Sequence, residues 1–333
     1  MTSAIGILGT GAYVPAREVG NDELAARIPD TTAEWILRKT AIRSRRYAAP
    51  DEAASDLAAG AAQAALADAG LTADRVDHII VCTSTGDYPL PPTASVVQQL
   101  VGADSAACFD LNAVCAGFVY GLEVARGLIT ARPGAHVLLI GVDVYSRFLD
   151  FSDRRSAVLL GDGAGAVVLG AVTEGHGILG IDLSTRGDAQ DLLRIPAGGS
   201  RSPASPESVA AGGHFLRMQG RAVREFVLEN IPPSVDKLLA DAGVSVEEID
   251  CFVPHQANGV LIQELAARCG LAGTPLVQVV EQYGNIGSAS VPIGLDHAVR
   301  EGTVEPGGLV LLSAFGSGMS VGNGLLRWGG GPA

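Results

Sequence analysis

Near Thr173-Glu174-Gly175 the chain begins again. Ile178–Leu183 repeats the apolar opening run at residues 4–9 (AIGILG), and Asp250-Cys251-Phe252-Val253-Pro254 matches His78-Ile79-Ile80-Val81-Cys82. Short apolar runs alternate with segments of helical spacing in both halves, in a βαβαβ-like order. The sequence therefore reads as an α/β chain of two duplicated halves, residues 1–173 and 174–333. Groups that handle ligands gather at strand carboxyl ends in such sheets. Residues just after the apolar runs deserve the closest reading.

The most informative of these follows Cys108. In CFDLNAVCAGFVYGLEVARGL an apolar run leads into Asn112-Ala113-Val114, then Cys115, then a helical pattern with Phe118, Leu122, Ala125 and Leu128 on one face. A thiol at a helix start meets unpaired N–H groups and the positive end of the dipole, which favour thiolate. A small buried packing residue is the plain alternative. The same holds for His255, just past the repeated strand, as a bonded core histidine. Asn285, before the last long helical segment, could be a turn or cap residue. Cys115 and Asn285 read as occupying matching places in the two halves.

Other segments carry their own expectations. Gly9-Thr10-Gly11 reads as a turn after the first strand; Pro15 follows and no helix opens, so a dinucleotide fingerprint fails. Asn21–Thr40 reads as helical, with Thr31 or Thr32 capping the part that bears Trp35. Ile42-Arg43-Ser44-Arg45-Arg46-Tyr47 is either a solvated surface or a phosphate clamp beside a stacking Trp35. Val158–Val172 reads as a hairpin around Gly161-Asp162-Gly163, and residues 185–215 as a long loop. Gln219–Ala242 reads as a helix interrupted near Pro232-Pro233, and Gly316–Gly324 as a Gly-rich hairpin.

Composition bounds the partners. Net charge is −13, which argues against nucleic acid or an anionic membrane, though local arginines could still form a basic mouth. The five cysteines include no C-x-x-C and no Cys/His pair at metal spacing, so no metal is expected. The odd count and an N-terminus without a basic n-region suggest a reducing cytoplasm. Polar breaks interrupt every apolar window, so no membrane span is expected.

Taken together, Cys115, His255 and Asn285 specify thioester chemistry. A thiolate can take an acyl group from a thioester. His and Asn can both donate to the oxygen of a second thioester, and donors of this kind are worth about a hundredfold or more each. If that thioester is malonyl, they stabilise the enolate left by CO2. Backbone N–H groups of Cys115 and of the Phe315-Gly316-Ser317-Gly318 turn could hold the oxyanion of acyl transfer.

The chain resembles the β-ketoacyl-acyl carrier protein synthase III family of the thiolase superfamily along nearly its whole length. The motifs are the Trp35 segment, CAGF at 115–118, GDGAGA at 161–166, PAGGSR at 196–201, HQAN at 255–258, YGN at 283–285 and FGSG at 315–318. The resemblance implies a thiolase fold with a five-layered αβαβα core, a homodimer, and a Cys-His-Asn triad at Cys115, His255 and Asn285. It implies that acyl-CoA enters along a tunnel, with Trp35 and Arg154 near the adenine end and Asn258, Phe315 and Gly316 among the substrate contacts. Ser317 would supply the second oxyanion-hole N–H. The implied reaction is a decarboxylative Claisen condensation. Acyl-CoA meets malonyl-acyl carrier protein or malonyl-CoA without a cofactor. Acyl transfer from Cys115 to an alcohol or amine is the alternative, and a non-catalytic partner subunit a third reading that the complete triad disfavours. Thiolases carry a second cysteine near the C-terminus, and none follows Cys269 here. Elongating synthases are similar but with His at the third position.

Some positions depart from the family pattern. Gly259 and Val260 follow HQAN where an arginine that docks the carrier protein is usual. GNIGSAS replaces a GNTSAAS-like segment, and Ala41 and Lys39 stand where Gly and Arg are commoner.

Overall fold

The protein is described by a computed structural model covering residues 4–329. In the first half, strands β1 (Ala4–Tyr13), β2 (His78–Cys82), β3 (Ala107–Leu111), β4 (Val137–Val144) and β5 (Asp162–Val172) form a five-stranded sheet in the order β1-β5-β4-β2-β3. In the second half, β6 (Gly177–Thr185), β7 (Cys251–Pro254), β8 (Leu309–Gly316) and β9 (Ser320–Arg327) form a four-stranded sheet in the order β7-β8-β9-β6. The pairing senses correspond. β2 runs parallel to β3 and β4; β4 pairs antiparallel with β5, and β5 with β1. Likewise β7 runs parallel to β8, which pairs antiparallel with β9, and β9 with β6. A parallel bridge from Phe252 to Leu276 stands where β3 lies in the first half.

Side-chain alternation along these strands builds five layers. Ile79 and Val81 of β2 face outward onto α1 (Ala54–Asp68) and α2 (Thr93–Val101), where Leu57, Ala61, Ala65, Ala94 and Val97 are buried. Ile80 and Cys82 face inward onto α3 (Gly117–Ala131), through Phe118 and Leu122. Cys251 and Val253 of β7 face the same middle layer, completed by α6 (Ser290–Arg300). Phe252 faces the other way, onto α4 (Gly220–Ala242) and α5 (Gly259–Arg268). The result is the expected αβαβα stack. The segment Val114–Ala131 is long and apolar enough to cross a membrane by length and composition, contrary to the reading of uniform polar breaks. Here it is the middle layer between two sheets.

The middle layer holds one local structure twice. The turn Val114–Ala116 precedes α3 and the turn Gly287–Ala289 precedes α6. Their first residues have φ of 49° and 54°, and the residues before them, Ala113 and Ile286, have φ/ψ of −123°/30° and −107°/30°. Asn112 Oδ1 accepts from Val114 N at 3.1 Å, and Asn285 Oδ1 from Gly287 N at 3.0 Å. Asn285 is thus the counterpart of Asn112, and the counterpart of Cys115 is Ser288. This corrects the sequence pairing of Cys115 with Asn285.

Four further expectations change. Gly9 and Gly11 lie within β1, which runs on to Tyr13. A Cβ on them would come within 2.4 Å of Ala69 N, just past the end of α1, and 2.3 Å of Ala65 N within it, so they permit close packing and do not make a turn. Asn21–Thr40 is two helices, Asn21–Arg27 and Ala33–Thr40, with Thr32 capping the second by accepting from Trp35 N. Residues 158–172 hold one strand and no hairpin, because Gly163 and Gly165 let α6 approach β5; a Cβ at Gly165 would lie 2.7 Å from Ile293 N. Finally, α4 continues through Pro232 and Pro233, held by burial of Val227, Ile231, Val235 and Leu238.

Candidate active site

A cavity of about 500 Å³ opens at the carboxyl ends of the inner strands. Cys115, His255 and Asn285 all line it. A smaller cavity of about 30 Å³ lies beside it and shares Cys115 and Asn285 with it.

The turn after β3 presents Cys115. Val114, a β-branched residue, holds a left-handed φ of 49°, a costly conformation that the surrounding packing must enforce. The thiol is 4% exposed. Burial, then the Asp143 carboxylate, push it up, against hydrogen bonds from Tyr145 and the backbone. The helix start was expected to favour thiolate, but desolvation outweighs it: Cys115 rests as a thiol.

His255 follows β7. Its N–H donates to Ser313 O at 2.7 Å, and its ring meets Phe315 edge-on with centroids 5.1 Å apart. The next residue, Gln256, is buried and tied down at both ends of its amide: Nε2 donates to Pro254 O and Val277 O, and Oε1 accepts from Val280 N. The loop carrying His255 is therefore rigid. Burial pulls the imidazole down to about 3, so it is neutral at ordinary pH. Nδ1 is buried without a hydrogen-bond partner.

Asn285 is fixed from both sides. Its backbone bridges Leu160: Asn285 N donates to Leu159 O at 2.8 Å, and Gly161 N to Asn285 O at 2.9 Å. Oδ1 is anchored by Gly287 N, and the NH2 remains free to donate into the cavity.

The rim is cationic. Lys39, Arg154, Arg155, Arg221 and Arg224 line the cavity, and no carboxylate does among the described residues. Arg154 lies over the Trp35 ring at 5.0 Å, and its Nη1 donates to Asp30 O at 2.6 Å. Trp35, Arg154, Asn258, Phe315 and Gly316 all lie on the wall. Asn258, however, spends its amide on structure: Oδ1 caps α5 through Val260 N and Leu261 N, and Nδ2 donates to Lys39 O. Gly316 packs so closely on the Val114–Ala116 turn that a Cβ there would lie 2.7 Å from Cys115 N. Ser317 is not on the cavity wall, and its hydroxyl donates to Leu193 O.

Of the two readings of residues 42–47, the phosphate clamp fails, since none of these residues lines the cavity. Arg45 is fully buried and donates to Val19 O, Asn21 Oδ1 and Val158 O. Arg46 donates to Ala16 O and pairs with Glu18, while Arg43 pairs with Glu281. The cations that do line the mouth include Arg221 and Arg224, whose i,i+3 spacing at the start of α4 is the signal that could have found them. Asp143 and Tyr145 were also missed. Asp143 sits in an apolar strand run and Tyr145 just after it, and a carboxylate inside such a run was the available clue.

Two family models match the chain: 3-oxoacyl-[acyl-carrier-protein] synthase III over residues 109–187, and its C-terminal counterpart over residues 239–328. Among curated proteins, an acetoacetyl CoA synthase, NphT7, of Streptomyces sp. (strain CL190) is 48% identical over 97% of this chain and 98% of its own length. A β-ketoacyl-[acyl-carrier-protein] synthase III of Symbiobacterium thermophilum is 45% identical, covering 98% of each chain. Among solved structures, the synthase III of Thermus thermophilus superposes with a TM-score of 0.90 at 38% identity, over 98% of this chain and 99% of that one. With these matches around the Cys115, His255 and Asn285 cavity, the chain belongs to the β-ketoacyl-[acyl-carrier-protein] synthase III family of thiolase-fold condensing enzymes.

Proposed function

We propose that Cys115 takes an acyl group from acyl-CoA and that a malonyl thioester then condenses with it, releasing CO2. The observation that carries the residue roles is the shared cavity wall. A neutral thiol, a neutral imidazole and an amide with a free NH2 face one space of about 500 Å³.

Acylation comes first. The Cys115 sulfur attacks the acyl-CoA carbonyl and its proton passes to His255. The tetrahedral oxyanion accepts from the backbone N–H of Cys115, with the N–H of Ser317, next to the wall residue Gly316, as the second donor. Collapse breaks the C–S bond to CoA, and the proton held by His255 leaves with CoA as its thiol. A malonyl thioester then enters. Its C–carboxylate bond breaks, CO2 departs, and the electron pair becomes an enolate whose oxygen accepts from His255 and Asn285. The enolate carbon attacks the acyl-Cys115 carbonyl. Expulsion of the Cys115 thiolate, which takes its proton back from solvent, leaves a β-ketoacyl thioester.

Several features support finer assignments. The Trp35–Arg154 stack with Lys39 and Arg221 suits the nucleotide and phosphates of CoA. We place the malonyl group on CoA and not on a carrier protein. Val260, exposed at the cavity mouth, stands where the family's docking arginine is usual, and a relative at 48% identity is named an acetoacetyl CoA synthase. A homodimer fits β3, an edge strand with Phe109 exposed. The two halves meet at residues 173–174, between β5 and β6. Five free cysteines and CoA substrates suit the cytoplasm.

The acceptor is tested by competition. Acetylated enzyme offered equal malonyl-CoA and malonyl-acyl carrier protein should give mainly acetoacetyl-CoA. Val260→Arg should shift the product toward the carrier protein. A wild-type enzyme that prefers the carrier protein would contradict the CoA assignment.

A further inference from the structure

Asp143 lies near the end of β4 and is fully buried, against the turn Gly287–Ala289. Each of its oxygens accepts from one backbone N–H. Oδ1 accepts from Ser84 N at 3.0 Å, in the loop after β2, and Oδ2 from Ser288 N at 2.8 Å, in the turn before α6. The hydroxyls of Ser84 and Thr85 lie 2.9 Å from Oδ1, and that of Ser288 lies 2.9 Å from Oδ2. One oxygen is thus rooted in the first half of the molecule and the other in the second. A carboxylate is costly to bury, and five polar groups around it mark a place built to hold one.

The turn that Oδ2 grips belongs to Asn285. Asn285 Oδ1 accepts from Gly287 N, one residue before Ser288. A Cβ on Gly287 would fall 2.2 Å from Asp143 Oδ2, so glycine lets the carboxylate reach the turn as well as permitting φ of 54°. Two successive N–H groups therefore set the aim of the Asn285 NH2: Gly287 N, held by Asn285 itself, and Ser288 N, held by Asp143. In the other copy of the turn the counterpart of Ser288 N is Cys115 N, the N–H assigned above to the acyl-transfer oxyanion. The first copy leaves that donor to substrate, and the second spends it on a fixed carboxylate.

An amide cannot do the same work. Asparagine offers one acceptor oxygen, so either orientation turns its NH2 toward Ser84 N or Ser288 N. The Asp143 charge also opposes the Cys115 thiolate, so its removal gives acylation no electrostatic reason to slow.

We propose that Asp143 is a positioning residue for the decarboxylation step: its carboxylate locks the turn that aims the Asn285 NH2 at the malonyl enolate. Asp143 touches no reacting atom and acts through Asn285. This role rests on the reading that Asn285 donates to that enolate.

The test is a double-mutant cycle read at two steps: acetyl loading of Cys115 by intact-protein mass, and CO2 release from malonyl-CoA. Asp143→Asn should slow CO2 release at least about tenfold, part of the hundredfold or more that one such donor supplies, and keep acetyl loading within about threefold of wild type. Because Asp143 acts through Asn285, adding Asp143→Asn to Asn285→Ala should slow CO2 release by no more than about threefold further. Equal loss of loading and CO2 release in Asp143→Asn would overturn the proposal, and so would losses that multiply in full in the double variant. Should Asp143→Asn fail to fold, Ser288→Ala decides. It removes one of the two contacts to Oδ2 and should slow CO2 release at least about threefold with loading kept; unchanged CO2 release would overturn the proposal. An Asn285→Ala enzyme that releases CO2 at the wild-type rate is a different failure: it would overturn the enolate reading of Asn285, and this role with it.

Discussion

Cys115 and Ser288 occupy the same point in two copies of one turn, one in each half of the molecule. Cys115 faces the cavity. Ser288 is fully buried, and its hydroxyl lies within hydrogen-bonding distance of Cys82 O (2.7 Å), Asp143 Oδ2 (2.9 Å) and Val142 O (3.2 Å). One copy of the turn serves chemistry and the other ties the halves together. Ser288→Ala should therefore cost stability and spare the nucleophile. Loss of a donor to the buried Asp143 carboxylate should lower unfolding free energy by about 1–3 kcal/mol in urea titrations. Acetyl loading of Cys115 should persist.

Asn285 acts, in this account, only on the malonyl step. Asn285→Ala should slow CO2 release from malonyl-CoA by about a hundredfold or more, the usual loss for one oxyanion donor. Acetyl loading, followed by intact mass, should fall by no more than a few-fold. Equal loss of both steps would remove the distinction between them.

His255 makes stability depend on pH. Its folded value, pulled down to about 3 by burial, lies below the ordinary value near 6.5. Between those limits the unfolded chain binds a proton that the folded chain refuses. Stability is thus complete above about pH 6.5 and falls as the pH drops toward 3, by about 1.4 kcal/mol per pH unit from this residue. Chemical denaturation from pH 7 to pH 4.5 should show a shallower loss in His255→Gln than in the wild type. Parallel slopes would mean that His255 is not held neutral.

Ala41 ends the Trp35 helix in the left-handed region, at φ 59°, with its N–H bonded to Leu37 O. Alanine pays there for a conformation that glycine adopts freely. A Cβ on Gly259 would fall 2.6 Å from the Ala41 Cβ, so glycine at 259 makes room for the departure at Ala41. Ala41→Gly should raise stability by about 0.5–1 kcal/mol, read as a higher melting temperature. Gly259→Ala should be destabilising in the Ala41 background and better tolerated with Ala41→Gly.

Much of this was legible in the sequence. Strands buried on both faces read as unbroken apolar runs, as at His78–Cys82 and Cys251–Pro254, so the duplication and the places of Cys115 and His255 stand out. Glycines were harder. Gly9, Gly11 and Gly163 read as turn residues, yet they lie inside strands, where they and Gly165 let neighbouring elements approach, a demand that only tertiary packing reveals. The charged run at residues 42–47 misled for a similar reason. Arg45 is spent on buried carbonyls, whereas the cations of the cavity mouth come from segments far apart in sequence. The shift of Cys115 toward thiol also has no local sign, because burial is a property of the assembled layers.

The most direct test of the account is a single turnover. Enzyme acetylated at Cys115 and freed of CoA is mixed with malonyl-CoA carrying label in the free carboxylate. The account predicts one labelled CO2 per acetyl group, appearance of acetoacetyl-CoA, and return of the protein to its unacylated mass, with all three lost in Cys115→Ala. Transfer of the acetyl group without CO2, or an acetyl adduct that survives Cys115→Ala, would contradict it.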